Sequence, residues 1–338
     1  MSAFKSAISK VVLGSILLSP AVAQADGWDG WDGWTVNLAT ENDMFGSEND
    51  RHYTHGTRLS FAPPEGEVAD WMRDAATYFP LFSDQGKLRA SYALGQNLYT
   101  PSDISITDPN EMDRPYAGWL YGSFGLVSDL GDRIDTLELT VGVVGPASLG
   151  EQTQKYVHKL VDSPDPKGWD HQLKNEPGIV LTYERKIRRF LTLDTGLHGL
   201  EIDATPHAGL SLGNIFTHAE VGTMFRMGWD LDKDRGGPPR IRPSLPGSDY
   251  YSKSDGFGWY LFAGVAGRAV GRNIFLDGNS FTSSYDADKK HFVADAQVGI
   301  ALRYDDFRLA YTQIIRTKEF KDQQKPDRYG AITLSYQF

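Results

Sequence analysis

"YGAITLSYQF", residues 329–338, alternates along its length: Ile332, Leu334, Tyr336 and Phe338 fall on one side, Thr333, Ser335 and Gln337 on the other. A period of two is the signature of a strand with one apolar and one polar face. "WTVNLATEN" (34–42) repeats it, setting Trp34, Val36 and Leu38 against Thr35, Asn37 and Glu41. So does "THGTRLSFA" (54–62), where Thr57, Leu59 and Phe61 oppose Arg58 and Ser60. Further runs of this kind span 88–98, 116–127, 134–144, 176–187, 190–201, 216–229, 257–269, 291–304 and 307–315, which makes twelve in all. Twelve is an even number, and most runs have the roughly 9 to 13 residues that a tilted strand needs to cross a bilayer.

The connections carry a second rhythm. "DLGDR" (129–133), "KIRR" (186–189) and "YDD" (304–306) are tight, whereas 44–52, 99–115, 146–175 and 271–290 are long. Short turns at one end and long loops at the other predict an all-β fold, a twelve-stranded antiparallel transmembrane barrel with both termini periplasmic. Two connections break the rhythm on the short side. Residues 63–87 contain "EVADWMRDAATYF", whose helical period predicts a small periplasmic helix; residues 230–256, rich in Gly, Pro and charge, suggest no role. A barrel of this size is too narrow for a wide channel, so polar side chains should fill much of its lumen.

Composition agrees with a protein that leaves the cytoplasm. Lys5 and Lys10 precede an apolar run from Val11 to Leu18, and Ala23-Gln24-Ala25 follows, so residues 1–25 read as a signal peptide. That run is too short for a membrane-spanning helix. Residues 26–33 form an Asp-Gly-Trp leader whose repeated glycines build no packed element, which leaves 34–338 as the barrel. There is no cysteine, so disulfides play no part. A net charge of −10 and a pI near 5.3 exclude a nucleic-acid partner, which would want a basic stripe. A terminal aromatic such as Phe338 is the kind of end that the barrel-assembly machinery of outer membranes reads.

Two outer segments carry chemistry. "ENDMFGSENDRHYTHG" (41–56) gathers Asn42, Asp43 and Thr54, and strand phase puts Asp43 and Thr54 on the lumen side but Asn42 on the other. A bulge or early strand end near Glu41 would bring them together. "SLGEQTQKYVHKLVDS" (148–163) predicts a short helix in an extracellular loop, with Leu149, Tyr156, Leu160 and Val157 on an apolar side. Gln154, His158 and Asp162 form a stripe at i, i+4 and i+8. Asn and Asp at a strand end are also ordinary turn formers, and a lone helical histidine is more often structural than catalytic.

These segments, together with "GQNLYTP", "DRPYAGW", "GVVGPASLGEQTQKYVHKLVDS" and "GWDHQLKNEPG", resemble in order the outer-membrane lipid A 3'-O-deacylase family, over nearly all of the mature chain. The resemblance implies a site at the outer leaflet, between the wall and the loop helix, where a Ca2+-dependent hydrolysis removes the 3'-linked acyl chain of lipid A or lipopolysaccharide. Carried over by position, the family's Asn-Asp pair matches Asn42 and Asp43, its threonine Thr54 and its helical histidine His158. The family's acidic residue after that histidine aligns with Pro164, so Asp162 or Asp165 would take its place. An imidazole at His158, oriented by Asp162, suits a general base for water. Asp43 and the Asn42 carboxamide suit a hard cation such as Ca2+. Arg51 and Arg114 are candidate partners for lipid A phosphates, although Arg114 equally suits a loop-holding pair with a nearby acid. His52, His55 and His171 suit polar networks, and no Gly-x-Ser-x-Gly elbow is present. A non-catalytic barrel (adhesin, narrow pore or structural protein) and an outer-membrane phospholipase are the competing readings.

Overall fold

The alternating runs pair into one antiparallel sheet that closes on itself. The computed structural model describes residues 32–45, 52–197, 199–253 and 255–338; the expected signal peptide and most of the leader lie outside them. The strands are β1 (Thr35–Asn42), β2 (His52–Ala62), β3 (Lys87–Thr100), β4 (Ala117–Asp129), β5 (Arg133–Val144), β6 (Glu176–Ile187), β7 (Leu191–Asp194), β8 (Glu201–Gly213), β9 (Phe216–Gly228), β10 (Phe257–Asn273), β11 (Phe292–Tyr304), β12 (Phe307–Arg316) and β13 (Asp327–Gln337). Consecutive strands pair except β6 and β7, β13 pairs with β1, and β6 pairs with β8 past the four-residue β7, so twelve strands close the barrel. Among the described residues no helix is long and apolar enough to cross a membrane. The crossing is made by strands.

The terminal strand seals the ring: Thr35 lies opposite Gln337, and the Phe338 amide donates to the Trp34 carbonyl at 2.9 Å. Its polar set, Thr333 and Ser335, is buried inward, while exposed apolar residues such as Val265, Val298, Leu309 and Ile315 face outward elsewhere on the wall. That inside-out arrangement is what a barrel in lipid requires.

One expected strand is displaced. The run at 190–201 is not the seventh crossing; only Leu191–Asp194 is strand there, pairing with Glu201–Ala204 as a small hairpin, and the crossing strand is β8. Pro206 hides it, because proline weakens any strand reading. In the fold it falls between the two pairings, residues 201–204 with β7 and 207–213 with β6, where a missing N–H breaks neither ladder.

The helix expected in 63–87 is α1 (Asp70–Thr77), which lays Met72 and Ala76 on the wall against Ala90, Leu126 and Tyr183. The connection 230–256, which suggested no role, turns into the barrel and fills it. Arg240 Nε reaches Glu41 at 2.6 Å, Arg242 Nη1 reaches Glu184 at 3.0 Å, and Asp249 receives both Arg58 Nη groups at 2.6 and 2.8 Å. Charges taken from water must be paired and hydrogen-bonded, and this plug pairs those of the wall.

Candidate active site

The outer loop 145–175 carries α2 (Gly150–Val161), which lies against the outside of the wall at β3 and β4. Its first turn comes close because two glycines meet: a Cβ on Gly150 would sit 3.0 Å from the Gly118 Cα and 2.9 Å from the Trp169 ring. Both ends are fixed by non-glycine residues in the left-handed region, Leu149 (φ 60°) and Asp162 (φ 59°). Aspartate tolerates that conformation better than most.

The helix turns its polar stripe to the wall. Gln154 and His158 are buried, whereas Leu149, Tyr156 and Leu160 are 52–66% exposed on the outward side. In water this would be upside down; beside an outer leaflet it puts the apolar face into acyl chains. Beneath the helix, Asn42, Thr54, His55, Leu98, Gln154 and His158 line one cleft of about 10 Å3, the room that one water needs.

Three strand ends bring the expected residues together. Asn42 and His55 point outward and approach at 3.4 Å between Nδ2 and Nδ1, and Asn42 Oδ1 accepts the Met44 amide at 2.7 Å. Thr54 has the wrong parity for that side, but the β2–β3 register shifts between Tyr53 and His55, and the bulge lets Thr54 line the cleft, where it bonds Thr100 at 2.7 Å. The bulge therefore sits at Thr54, on the partner strand, while near Glu41 the other expected alternative is met, β1 ending at Asn42. Asp43 begins a 3-10 turn (Asp43–Phe45) and is buried beside this end of β1.

His158 Nδ1 lies 2.6 Å from the Pro164 carbonyl. A carbonyl only accepts, so Nδ1 carries the proton and the neutral ring keeps its lone pair on Nε2. Asp162 does not fill the expected orienting role here: it is exposed, and its backbone N–H caps the helix on the His158 carbonyl. Pro164, at the position where the resemblance asks for an acid, supplies a main-chain oxygen instead.

The remaining candidates are placed elsewhere. Arg114 is 1% exposed and its Nη2 donates to Glu319 at 2.7 Å, so it clasps two outer loops and does not face the leaflet. Burial works against the Glu319 charge, but Arg114 and then Arg316 hold its carboxyl below the ordinary range. Arg51 lies outside the described residues. His52 joins Asp327 (2.6 Å) and Ser102 (3.1 Å), and His171 meets Tyr285 at 3.3 Å, both in loop networks.

Asn42 and Asp43 are hard oxygen donors, the right chemistry for Ca2+, though two side chains supply fewer than the six to eight oxygens it takes. Among the described residues no three His, Cys, Asp or Glu side chains cluster to hold a metal by themselves. Carbonyls, water and substrate oxygens would have to complete the set. The sequence places Gln154 on one stripe with His158 at i, i+4 but assigns it no role in the site. It also assigns none to Trp169, whose indole N–H donates to Gln154 Oε1 at 2.7 Å.

A family profile described as Outer membrane protein LpxR matches residues 11–338. No curated protein sequence matches the chain significantly. Among solved structures, LpxR from Salmonella typhimurium gives a TM-score of 0.74 at 20% identity, over 90% of this chain and 100% of that one. The beta domain of the Bordetella autotransporter BrkA gives 0.42 at 9% identity, over 90% of this chain and 99% of its own. The translocator domain of the autotransporter NalP from Neisseria meningitidis gives 0.37 at 11%, over 99% and 97%. Of these three the first shares the fold.

Proposed function

The chain belongs to the LpxR family of outer membrane proteins, and from that premise we propose that it is a lipid A 3'-O-deacylase, hydrolysing the 3'-linked acyl ester of lipid A at the outer leaflet. The observation that carries the reading is the cleft under α2, which His158, its Nδ1 held on the Pro164 carbonyl, shares with Asn42 and Thr54 on the outer face of the wall. His158 Nε2 takes a proton from water as the water oxygen attacks the ester carbonyl. The resulting imidazolium returns that proton to the sugar oxygen as the C–O bond breaks, leaving a free hydroxyl and a fatty acid. The Pro164 carbonyl holds the ring in the tautomer this needs. Thr54 offers a hydroxyl to water or substrate. Ca2+, held by Asp43 and the Asn42 carboxamide, would supply positive charge to the developing oxyanion.

The competing readings have less support. A non-catalytic barrel gives no reason for α2 to bury His158 over the cleft that Asn42 lines, and a narrow pore conflicts with a lumen crossed by the Arg58–Asp249 and Arg240–Glu41 pairs. A phospholipase would share the chemistry and differ in substrate. Mass spectrometry of lipid A from a host expressing the chain separates the three: loss of the 3' acyl chain is expected, and unchanged lipid A defeats the proposal. His158→Ala should keep a heat-modifiable barrel yet release no 3' acyl chain, and excess chelator should silence the parent protein.

A further inference from the structure

Among the described residues lining the cleft, Gln154 stands apart. It is 2% exposed, and its Nε2 has no hydrogen-bond acceptor. Which end of the carboxamide is which follows from its neighbour: the Trp169 indole is a donor only, so the atom it meets at 2.7 Å is Oε1 and the NH2 lies on the other side. An amide with two unused donors, buried without a partner, costs about 1–3 kcal/mol, and native folds leave few such groups without a reason.

The fold goes to some length to keep it there. Trp169 is 1% exposed, packs with Leu98 and Tyr116, and fits beneath α2 because position 150 has no side chain. The segment "GWDH" (168–171) thereby anchors the amide from outside the helix. Residues 154 and 158 are one turn apart on α2 and line the same cleft, so the amide and the imidazole stand side by side there.

We propose that Gln154 is a catalytic residue of this site, its Nε2 donating to the carbonyl oxygen of the scissile acyl ester, and that Trp169 is the positioning residue that aims it. The inference rests on the hydrolytic reading above. As water adds, the carbonyl π pair moves onto oxygen and the proton goes to His158; Gln154 keeps both its protons and stabilises the oxyanion by hydrogen bonding. A fixed donor of this kind costs no reorganisation during reaction, which is why removing one typically lowers kcat by about 10²- to 10³-fold.

The test is steady-state kinetics on purified enzyme with lipid A in mixed micelles at saturating Ca2+, comparing Gln154→Ala, Gln154→Glu, Trp169→Phe and His158→Ala. Gln154→Ala and Gln154→Glu should lose kcat roughly 10²- to 10³-fold with KM within about three-fold, since an interaction made in the transition state leaves KM alone. Trp169→Phe, which keeps a ring but not the N–H, should lose kcat roughly ten- to a hundred-fold. If Gln154→Ala keeps kcat within about three-fold of the parent, or loses only KM, while His158→Ala is inactive, the oxyanion role is wrong and the hydrolase reading stands. An active His158→Ala overturns the hydrolase reading itself. Should Gln154→Ala not yield a heat-modifiable barrel, the near-isosteric Gln154→Glu assayed at alkaline pH decides, because its carboxylate still accepts from Trp169 but has no proton to donate.

Discussion

At the scale of single residues, what a side chain touches decides its role more than what it is. Arg114 is a strong phosphate-binding type, yet buried against Glu319 it works as a clasp between the 101–116 and 317–326 loops. The Glu319 carboxyl is lower in the folded protein than in the unfolded chain, so its contribution to stability is full above the unfolded value near 4.3 and is lost as pH falls through the depressed one. We expect the thermal midpoint of the barrel to drop between roughly pH 5 and pH 3. Glu319→Gln should start lower, since an unpaired buried arginine costs about 3–5 kcal/mol, and should lose less over that window. Equal pH slopes for the two proteins would remove Glu319 from the explanation. The Asp162 and Pro164 outcome has the same origin: a main-chain carbonyl belongs to every residue, so no sequence pattern announces that it will orient a histidine.

Among elements, the plug is the clearest case of structure that sequence does not disclose. Arg240 and Glu41 are 199 residues apart, and Arg58 and Asp249 are 191 apart. A Gly-, Pro- and charge-rich connection looks like a solvated loop until its partners on the wall are known. Local periodicity, by contrast, made eleven of the twelve crossings legible, along with α1 and α2, because each strand's alternation is fixed by lipid on one side and a polar lumen on the other. It failed at β8, where Pro206 interrupts the pattern. Most of the cleft was legible too, in Asn42, Thr54 and His158; the bulge that admits Thr54 was misplaced because either of two paired strands can absorb a register shift. Replacing residues 237–248 by a short Gly-Ser link should turn a closed barrel into one that conducts ions in a planar bilayer. A deletion variant that folds and stays non-conducting would mean the wall side chains alone seal the lumen.

For the whole molecule, the division of labour is between a sealed interior and a working exterior. The charged pairs that hold the plug are inside, and the cleft under α2 is outside, beneath the helix whose Tyr156 and Leu160 are exposed. On the function proposed above, a cleft on the outer side of the wall would meet lipid A by diffusion within a plane. The concentration that matters is then the amount of lipid A per unit of membrane area, not per unit of volume. At fixed total lipid A, adding inert detergent to the micelles should slow hydrolysis in proportion to the falling surface fraction, whereas enlarging the volume at constant composition should change little. For the deacylase proposed above, the rate would be set by how crowded its own membrane is.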